Sequence, residues 1–370
     1  MSRLEQSICD AAYQAGFALV GFAPLRRLAR QRFYTDWLDQ GRAAQMTYLA
    51  RAPERRFDPR AIDPRLNSVV SLAYPYAVPG GRGDSSSNWR QSLRGRIAAY
   101  ALGPDYHDYV LGAARKVARQ IEFFSPESTA RVYVDTGPVF EREWARETGI
   151  GWFGKNTNIL NRDHGSYFFL AEIFTDLQFE AIPTKYGEFC GTCRRCIDLC
   201  PTGALEGGYL LEPRLCISYL TIELRGPIPA QLRPKLSNWI FGCDICQEVC
   251  PWNEPGSQTS SETDPYMPEL MGLDEAGFRA RFGKSALRRA KRRGLLRNTA
   301  IALGNSGNRE AVPSLIQAFE SDREALVRSH CAWALGQIGG ATARFALEHR
   351  RNREPDGSVR AEIDAALETN

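Results

Sequence analysis

"CGTCRRCIDLCP" (residues 190–201) places cysteines at 190, 193, 196 and 200 and a proline directly after the last. C-x2-C-x2-C-x3-C-P is the spacing of ferredoxins with two [4Fe–4S] clusters, in which the fourth thiolate crosses to the other cluster. A second run is then required. "GCDICQEVCPWN" (242–253) provides one, but with only Cys243, Cys246 and Cys250. By the crossing rule, Cys190, Cys193 and Cys196 take Cys250 as their fourth ligand, and Cys200 joins Cys243 and Cys246. Cys216 in "PRLCISYL" is the unassigned cysteine nearby, so it completes the second set. Zinc is the first rival, because thiolate pairs at this spacing also suit a tetrahedral ion. A disulfide set is the other.

Working outward, the remaining two of the ten cysteines, Cys9 and Cys331, lie among apolar residues and read as small core side chains. A chain of 370 residues is long enough for two or three domains. Its composition, 43% hydrophobic and 24% charged, is that of an ordinary globular protein. No run of eighteen apolar residues is present, so no membrane helix is expected. The opening "MSRLEQSICDAAYQAGFALVGFAP" lacks the basic flank and apolar core of a secretory signal. It reads as a helix followed by a strand over 17–22, and the expected location is cytoplasmic. The net charge of +4 is too mild to imply nucleic-acid binding by itself.

Two nearby clusters move electrons but do not themselves convert a substrate, so the chemistry belongs to the long region before Cys190. There "SVVSLAYPY" (68–76), "ARVYVD" (130–135) and "SYFFLAEIFT" (166–175) read as strands. "YHDYVLGAARKVARQIEFF" (106–124) and "VFEREWARETG" (139–149) read as helices. Strands and helices intermixed predict an α/β or α+β domain. No helix opens on a glycine-rich nucleotide fingerprint, so nicotinamide, FAD and ATP gain no support. "PGGRGDSSSNWR" (79–90) reads as a surface loop. Asp135, where a strand gives way to a turn, is either a candidate catalytic group or a simple turn former ahead of Pro138.

"VDTGPVFER", "GIGWFGKNTNIL", "GSYFFLAEI", "CGTCRRCIDLCPTGAL", "LCISYLTIE" and "GCDICQEVCPWN", in this order, closely resemble the epoxyqueuosine reductase family. "MTYLARAPERRFDPR" (46–60) and a helical-repeat tail extend the resemblance over nearly the whole chain. The resemblance implies a cobalamin-dependent enzyme that completes the queuosine modification of tRNA. Its α+β cobalamin-binding domain would span 1–180, a ferredoxin-like two-cluster domain 181–255, and an all-α HEAT-like domain 266–370. It implies that Co(I) cobalamin, recharged through two [4Fe–4S] clusters, supplies the electrons for loss of the epoxide oxygen. By match to the family's catalytic aspartate, Asp135 is the acid that protonates that oxygen, and a buried site beside a corrin is expected to raise its pKa. Arg56, Asn158, Ile159, Asn161, Leu170 and Ser218 fall in the matching corrin-lining segments.

Other cobalamin binders place a histidine under cobalt with D-x-H-x-x-G. "DYHDYV" (105–110) has valine in place of the glycine, so His107 reads as a helix-start residue and not a cobalt ligand. A tRNA substrate calls for positive charge, and "FRARFGKSALRRAKRRGLLRN" (278–298) supplies it. Arg288, Arg289, Arg292 and Arg293 are the expected phosphate contacts, against the plainer reading of a solvated basic helix. "ALGNSGNREAVPSL" (302–315) recurs as "ALGQIGGATARFAL" (334–347), a HEAT-like period near 32 residues. Arg328 is expected on the same basic face. "NEPGSQTSSETDP" (253–265) reads as the linker before this tail. A flavodoxin or ferredoxin is the expected electron donor and a monomer the expected state. The alternative is a cobalamin-dependent, reductive dehalogenase-like reductase of a small molecule, which needs neither the basic segment nor the repeats.

Overall fold

The computed structural model describes residues 1–79, 89–181, 187–253, 259–260 and 264–368. Most of the loop expected over 79–90 and most of the linker expected over 253–265 lie outside the described residues.

Helix α1 (Arg3–Gln14) begins where the Ser2 side chain accepts from the Glu5 amide and Glu5 returns a bond to the Ser2 amide. This reciprocal cap satisfies donors that the first turn would otherwise leave free. Strands β1 (Leu19–Pro24), β2 (Ser68–Pro75), β3 (Ala130–Tyr133) and β4 (Phe168–Thr175) form one sheet in the order β1-β2-β4-β3. Every pairing in it is antiparallel. The expected strands are all present, with ends shifted by at most two residues.

Both faces of this sheet are covered. Val70, Leu72, Ala171 and Ile173 pack against α1 and against Val110, Ala114, Val117 and Ile121 of helix α2 (Tyr106–Phe124). On the opposite face Val69 and Phe174 meet Trp144 of helix α3 (Glu141–Glu147), and Ala73 meets Ala145. Burial on two sides makes the strands almost continuously apolar. Ser71 and Glu172, directly paired across β2 and β4 and fully buried, interrupt that run.

The cysteine-rich region is built from short pieces, including the helical turns Arg195–Asp198 and Ile245–Glu248 and helix α4 (Ile217–Ile222). It does not stand apart from the tail. Ile217, Leu220, Trp239, Ile240 and Phe241 share one core with residues of helices α5 (Lys291–Ser306), α6 (Val312–Ser321), α7 (Ala325–Ile338), α8 (Ala341–Arg351) and α9 (Gly357–Glu368). The repeated glycines explain how these helices approach. A Cβ at Gly304 would lie 2.9 Å from the Ala334 backbone, and one at Gly336 would lie 2.7 Å from the Ala366 side chain. Only a residue without a side chain allows α5 and α7, or α7 and α9, to pack this closely.

The segment 278–298 is not a solvated basic helix. It breaks at a 3-10 turn, Ala286–Ala290, and α5 is buried along most of its length. Arg297 has no exposure, and its guanidinium donates to the carbonyls of Leu220, Leu224 and Gly226 at 2.7–2.8 Å. Among the described residues, no helix is long and apolar enough to cross a membrane.

Candidate active site

Asp135 sits two residues beyond β3 with φ +56°, a left-handed conformation costly for a side-chain-bearing residue. The turn is enforced locally: the Thr136 amide bonds the Val134 carbonyl at 2.6 Å, and Gly137 folds so tightly over Tyr133 that a Cβ would meet its ring at 2.3 Å. The result aims the carboxylate across to α2. There the Tyr106 hydroxyl donates to Asp135 Oδ2 at 2.8 Å, and His107 Nε2 lies 3.0 Å from the same oxygen.

The network continues behind the imidazole. His107 Nδ1 lies 2.6 Å from Asp105 Oδ1, and Asp105, which also caps α2, pairs with Arg288 at 2.9 Å. A chain of alternating charge therefore runs Arg288–Asp105–His107–Asp135. Burial lowers the His107 pKa, but its bonds to Asp135 and Asp105 overcome this and hold it above the ordinary imidazole value. Burial pushes Asp135 up, but bonds from His107 and Tyr106, with the charges of His107 and Arg142, hold its carboxyl below the usual range. In the chain alone the bonds from His107 and Tyr106 outweigh burial, whereas the expected rise was for a site closed by a corrin. His107 is correspondingly more than a helix-start residue, because it is the direct partner of Asp135. More than half of the Asp135 side chain remains open to solvent, so it faces a cleft and is not sealed away.

The cleft is bordered by groups from separate segments. Arg56 donates to the Tyr48 carbonyl at 3.3 Å, while its Nε is buried with no partner. Arg142 donates to the Thr157 carbonyl at 2.7 Å, fixing the loop that carries Asn158. Leu170 lies partly buried on β4. Ser218, the second residue of α4, hydrogen-bonds Cys216. Two of the carried-over positions turn inward instead. Ile159 is 3% exposed and packs with Ala73, Ala145 and Ile150. Asn161 is 1% exposed, and its side chain donates to the Ile150 carbonyl and accepts from the Asp163 and His164 amides. Core packing and turn bonds occupy both side chains, which leaves their backbone as the part free to meet a bound group.

All eight clustered cysteines are free thiols, which removes the disulfide reading. They fall electrostatically into two groups. Burial, then Cys250, Cys190 and Cys193, raise the Cys196 thiol to about 11. Cys216 feels Cys200, Cys243 feels Cys246 and Cys216, and Cys246 feels Cys216 and Cys200 but also Cys196 of the first group, so the two sets adjoin. Among the described residues no three donors converge on a point as a single ion such as zinc requires. Lys155 braces the first group, donating to the carbonyls of Gly191 and Cys193 at 2.6 and 2.9 Å. Asn156 reaches the second, donating to the Cys246 carbonyl at 3.1 Å. One loop, 154–158, therefore touches both groups and the Asp135 cleft.

The four arginines of the basic segment separate. Arg288, Arg289 and Arg293 keep much of their surface in solvent while pairing with Asp105, Glu223 and Glu324 respectively. Arg289 also lies over the Tyr48 ring. Arg292 is a correction: it is 9% exposed, donates to the Leu273 carbonyl at 2.6 Å and pairs with buried Asp322. Arg328 is likewise buried, pairing with Glu354 at 2.7 Å, and is not part of an exposed basic face. Both are held inside by carboxylates that helix packing has desolvated.

Sequence reasoning missed Tyr106, the partly buried Glu141 and the buried Glu172, and undervalued His107. "DYH" supplied the one visible signal; the two glutamates gave none beyond a charge inside an apolar strand and at a helix start.

Comparison with known proteins converges on one group. A family model described as "Epoxyqueuosine reductase QueG, DUF1730" matches residues 56–136, a 4Fe-4S double cluster binding domain matches 189–253, and HEAT repeats match 284–368. An epoxyqueuosine reductase of Xanthomonas campestris is 39% identical over 339 residues, covering 89% of this chain and 94% of that protein. The solved epoxyqueuosine reductase of Bacillus subtilis, described with its catalytic loop swung out of the active site, superposes with TM-score 0.89 at 26% identity, covering 99% of both chains. A crystal structure of epoxyqueuosine reductase with an epoxyqueuosine-modified tRNA-Tyr stem loop superposes with TM-score 0.87 at 27% identity, covering 99% of this chain and 98% of that one.

Proposed function

The chain belongs to the epoxyqueuosine reductase family, and from that premise we infer that it converts epoxyqueuosine in a tRNA anticodon loop to queuosine. The epoxide oxygen leaves as water, which requires two electrons and two protons. The observation that carries the reading is the Asp135–His107–Tyr106 constellation, in which a solvent-open carboxylate is held by a phenol and an imidazole.

The residues fit cobalamin: the partnerless Arg56 Nε awaits an acceptor of the kind the corrin's carboxamide rim offers. Arg56, Asn158, Leu170 and Ser218 would border it. When bound, Co(I) cobalamin supplies the electron pair and two [4Fe–4S] clusters recharge it. Cys190, Cys193, Cys196 and Cys250 would hold one cluster; Cys200, Cys216, Cys243 and Cys246 the other. The chain's own residues handle the protons and the substrate. Asp135 delivers a proton to the departing oxygen, because an epoxide oxygen leaves poorly as an alkoxide. His107 and Tyr106 fix the carboxyl in its strained position, and Asp105 fixes the imidazole. Arg288, Arg289 and Arg293 contact tRNA phosphates, exchanging their present carboxylate partners for them.

In this reading the catalytic role falls to 1–180, electron transfer to 181–255 and tRNA binding to 266–370. The enzyme works as a cytoplasmic monomer fed by a one-electron donor such as flavodoxin or ferredoxin. A small-molecule reductase is not favoured, since it would have no use for the repeats. The test is a single-turnover assay with anaerobically reconstituted protein and an epoxyqueuosine-bearing tRNA stem loop. Cobalamin-dependent formation of queuosine is expected. Failure to react with the stem loop, alongside reduction of a halogenated small molecule, would overturn the assignment.

A further inference from the structure

Beneath the Asp135 loop, two glutamates lie where the fold offers them almost nothing. Glu172 points from the middle of β4 to the α3 side of the sheet. It has no solvent exposure, and neither carboxyl oxygen has a hydrogen-bond partner. Its cross-strand neighbour Ser71 is also buried, with a partnerless hydroxyl, and the Trp144 Nε1 above that face has none. Glu141, in the first turn of α3, is partly buried and keeps one carboxyl oxygen sealed and unpaired. Its carboxyl is hydrogen-bonded to the backbone of Asp135 and lies close enough to Glu172 to raise that group's pKa. So many orphaned polar atoms in one place are rare in folded proteins and call for a functional cause.

We propose that Glu141 and Glu172 form a proton reserve that resupplies Asp135 during the reaction, a role that rests on the function inferred above. Two carboxyl groups sharing one unsolvated space cannot both ionise, so the pair keeps at least one proton. The groups facing Glu141 are Asp135 on its loop, Glu172 on β4, Tyr106 on α2, Arg56 on the helix Pro53–Phe57 and its neighbour Arg142. Burial and the Asp135 charge together push Glu141 up to about 8, against the pull of the two arginines. Burial and Glu141 raise Glu172 well above the ordinary value. Asp135 is held low by His107. At neutral pH the stored proton is therefore on Glu141 and not on Asp135. Neighbouring carboxyls whose pKa values are driven apart mark a donor and an acceptor.

The chemistry supplies the need. Two protons must reach one oxygen, while a corrin and an anticodon loop filling the cleft would cut Asp135 off from bulk water. The O–H bond of Glu141 breaks, its proton passes to the ionised Asp135 carboxylate, and Asp135 hands it on to the departing oxygen. Glu172 then returns a proton to Glu141, and no electrons move in any of these transfers. The two glutamates act through Asp135 and are positioning residues, not catalytic ones.

The experiment is infrared titration of the carboxylic C=O stretch in the anaerobic holoenzyme and in the same chain before cobalamin is added, paired with single-turnover rates against pH. Unsubstituted protein should show a protonated-carboxyl band that disappears near pH 8 and a second that survives to higher pH. Glu141→Gln should remove the first band, abolish the matching alkaline limb of the rate profile, and slow turnover by about tenfold to a hundredfold. Its affinity for cobalamin and tRNA should not change, and Glu141→Asp should restore part of the rate. Glu172→Gln should remove the second band; should it not fold, Glu141→Gln decides alone. No such band above pH 6, or a Glu141→Gln variant with unchanged rate and alkaline limb, overturns the reserve. Both bands present without turnover of the stem loop by unsubstituted protein breaks the reaction assignment instead.

Discussion

The cysteine-rich region and the Asp135 cleft are both sites, yet they are encoded differently. Seven of the eight clustered cysteines sit at fixed short intervals in two runs, with Cys216 arriving from between them. The cleft draws Tyr106 and His107 from α2, Asp135 from a loop, Glu141 from α3 and Glu172 from β4. The first is written in local spacing; the second exists only once a sheet and three helices have closed. A locally encoded site fails by losing a ligand. A topologically encoded one fails by losing a charge balance.

The sharpest break is at Cys216, the one cluster cysteine outside the two runs. Cys216→Ser should abolish turnover and reduce reconstituted iron from about eight atoms per chain to about four. Iron analysis and the spectrum of the surviving cluster check this; full iron content would return the pairing of the cysteines to an open question.

Asp135→Asn comes next and probes the other kind of site. It should lower kcat by a factor of roughly 10²–10⁴ while leaving cobalamin and tRNA affinity in place. Wild-type single-turnover rates from that variant would show that the left-handed Asp135 is a structural turn only.

Arg292 and its exposed neighbours sharpen the contrast within one stretch of sequence. Arg292→Ala leaves Asp322 buried and unpaired, and should destabilise the folded chain by about 3–5 kcal/mol with little change in tRNA affinity per folded molecule. Thermal or denaturant unfolding measures the first quantity and a binding titration the second. Neutralising Arg288, Arg289 and Arg293 should have the converse effect. Stability would change little, and the log–log salt dependence of tRNA binding would flatten by roughly 0.7–0.9 for each phosphate that is no longer neutralised. Equal salt slopes for parent and variant would remove these residues from the interface.

The smallest effect belongs to the His107–Asp135 pair. His107 has a raised pKa in the folded chain, so the pair's stabilisation is fully present below the ordinary imidazole value. It is lost as pH rises through the raised one. Asp135 has a lowered pKa, so its share is present above the ordinary carboxyl value and fades as pH falls through the lowered one. His107→Ala should flatten the alkaline part of the stability profile and let Asp135 titrate higher, by an amount suited to a partly exposed pair. Unfolding measured across pH, with the variant beside the parent, tests both signs.

Much of the molecule was legible in advance. The double-cluster domain, the α+β region and the repeats follow from spacing and periodicity. What stayed hidden was direction. Arg288 and Arg292 lie four residues apart in the same basic run, yet one reaches Asp105 at the cleft and the other is folded onto Asp322. Composition cannot separate them, because the difference comes from where the 3-10 turn Ala286–Ala290 hands over to α5. Likewise, nothing in "GSYFFLAEI" shows that the glutamate lies on the covered side of a strand buried on both faces.

Arg297 carries a further consequence, for the order in which the molecule is made. Its guanidinium gathers the carbonyls of Leu220, Leu224 and Gly226, just beyond Cys216, and no water can replace it there. On the ribosome, that stretch emerges some seventy residues before its clasp. Until α5 has been synthesised and docked, α4 and the loop after it have no partner for those carbonyls, and the Cys216 ligand has no fixed place. On the ligand pairing proposed above, loading of the second cluster would wait for the tail, and a chain whose translation stops early would be left with thiols exposed to oxygen.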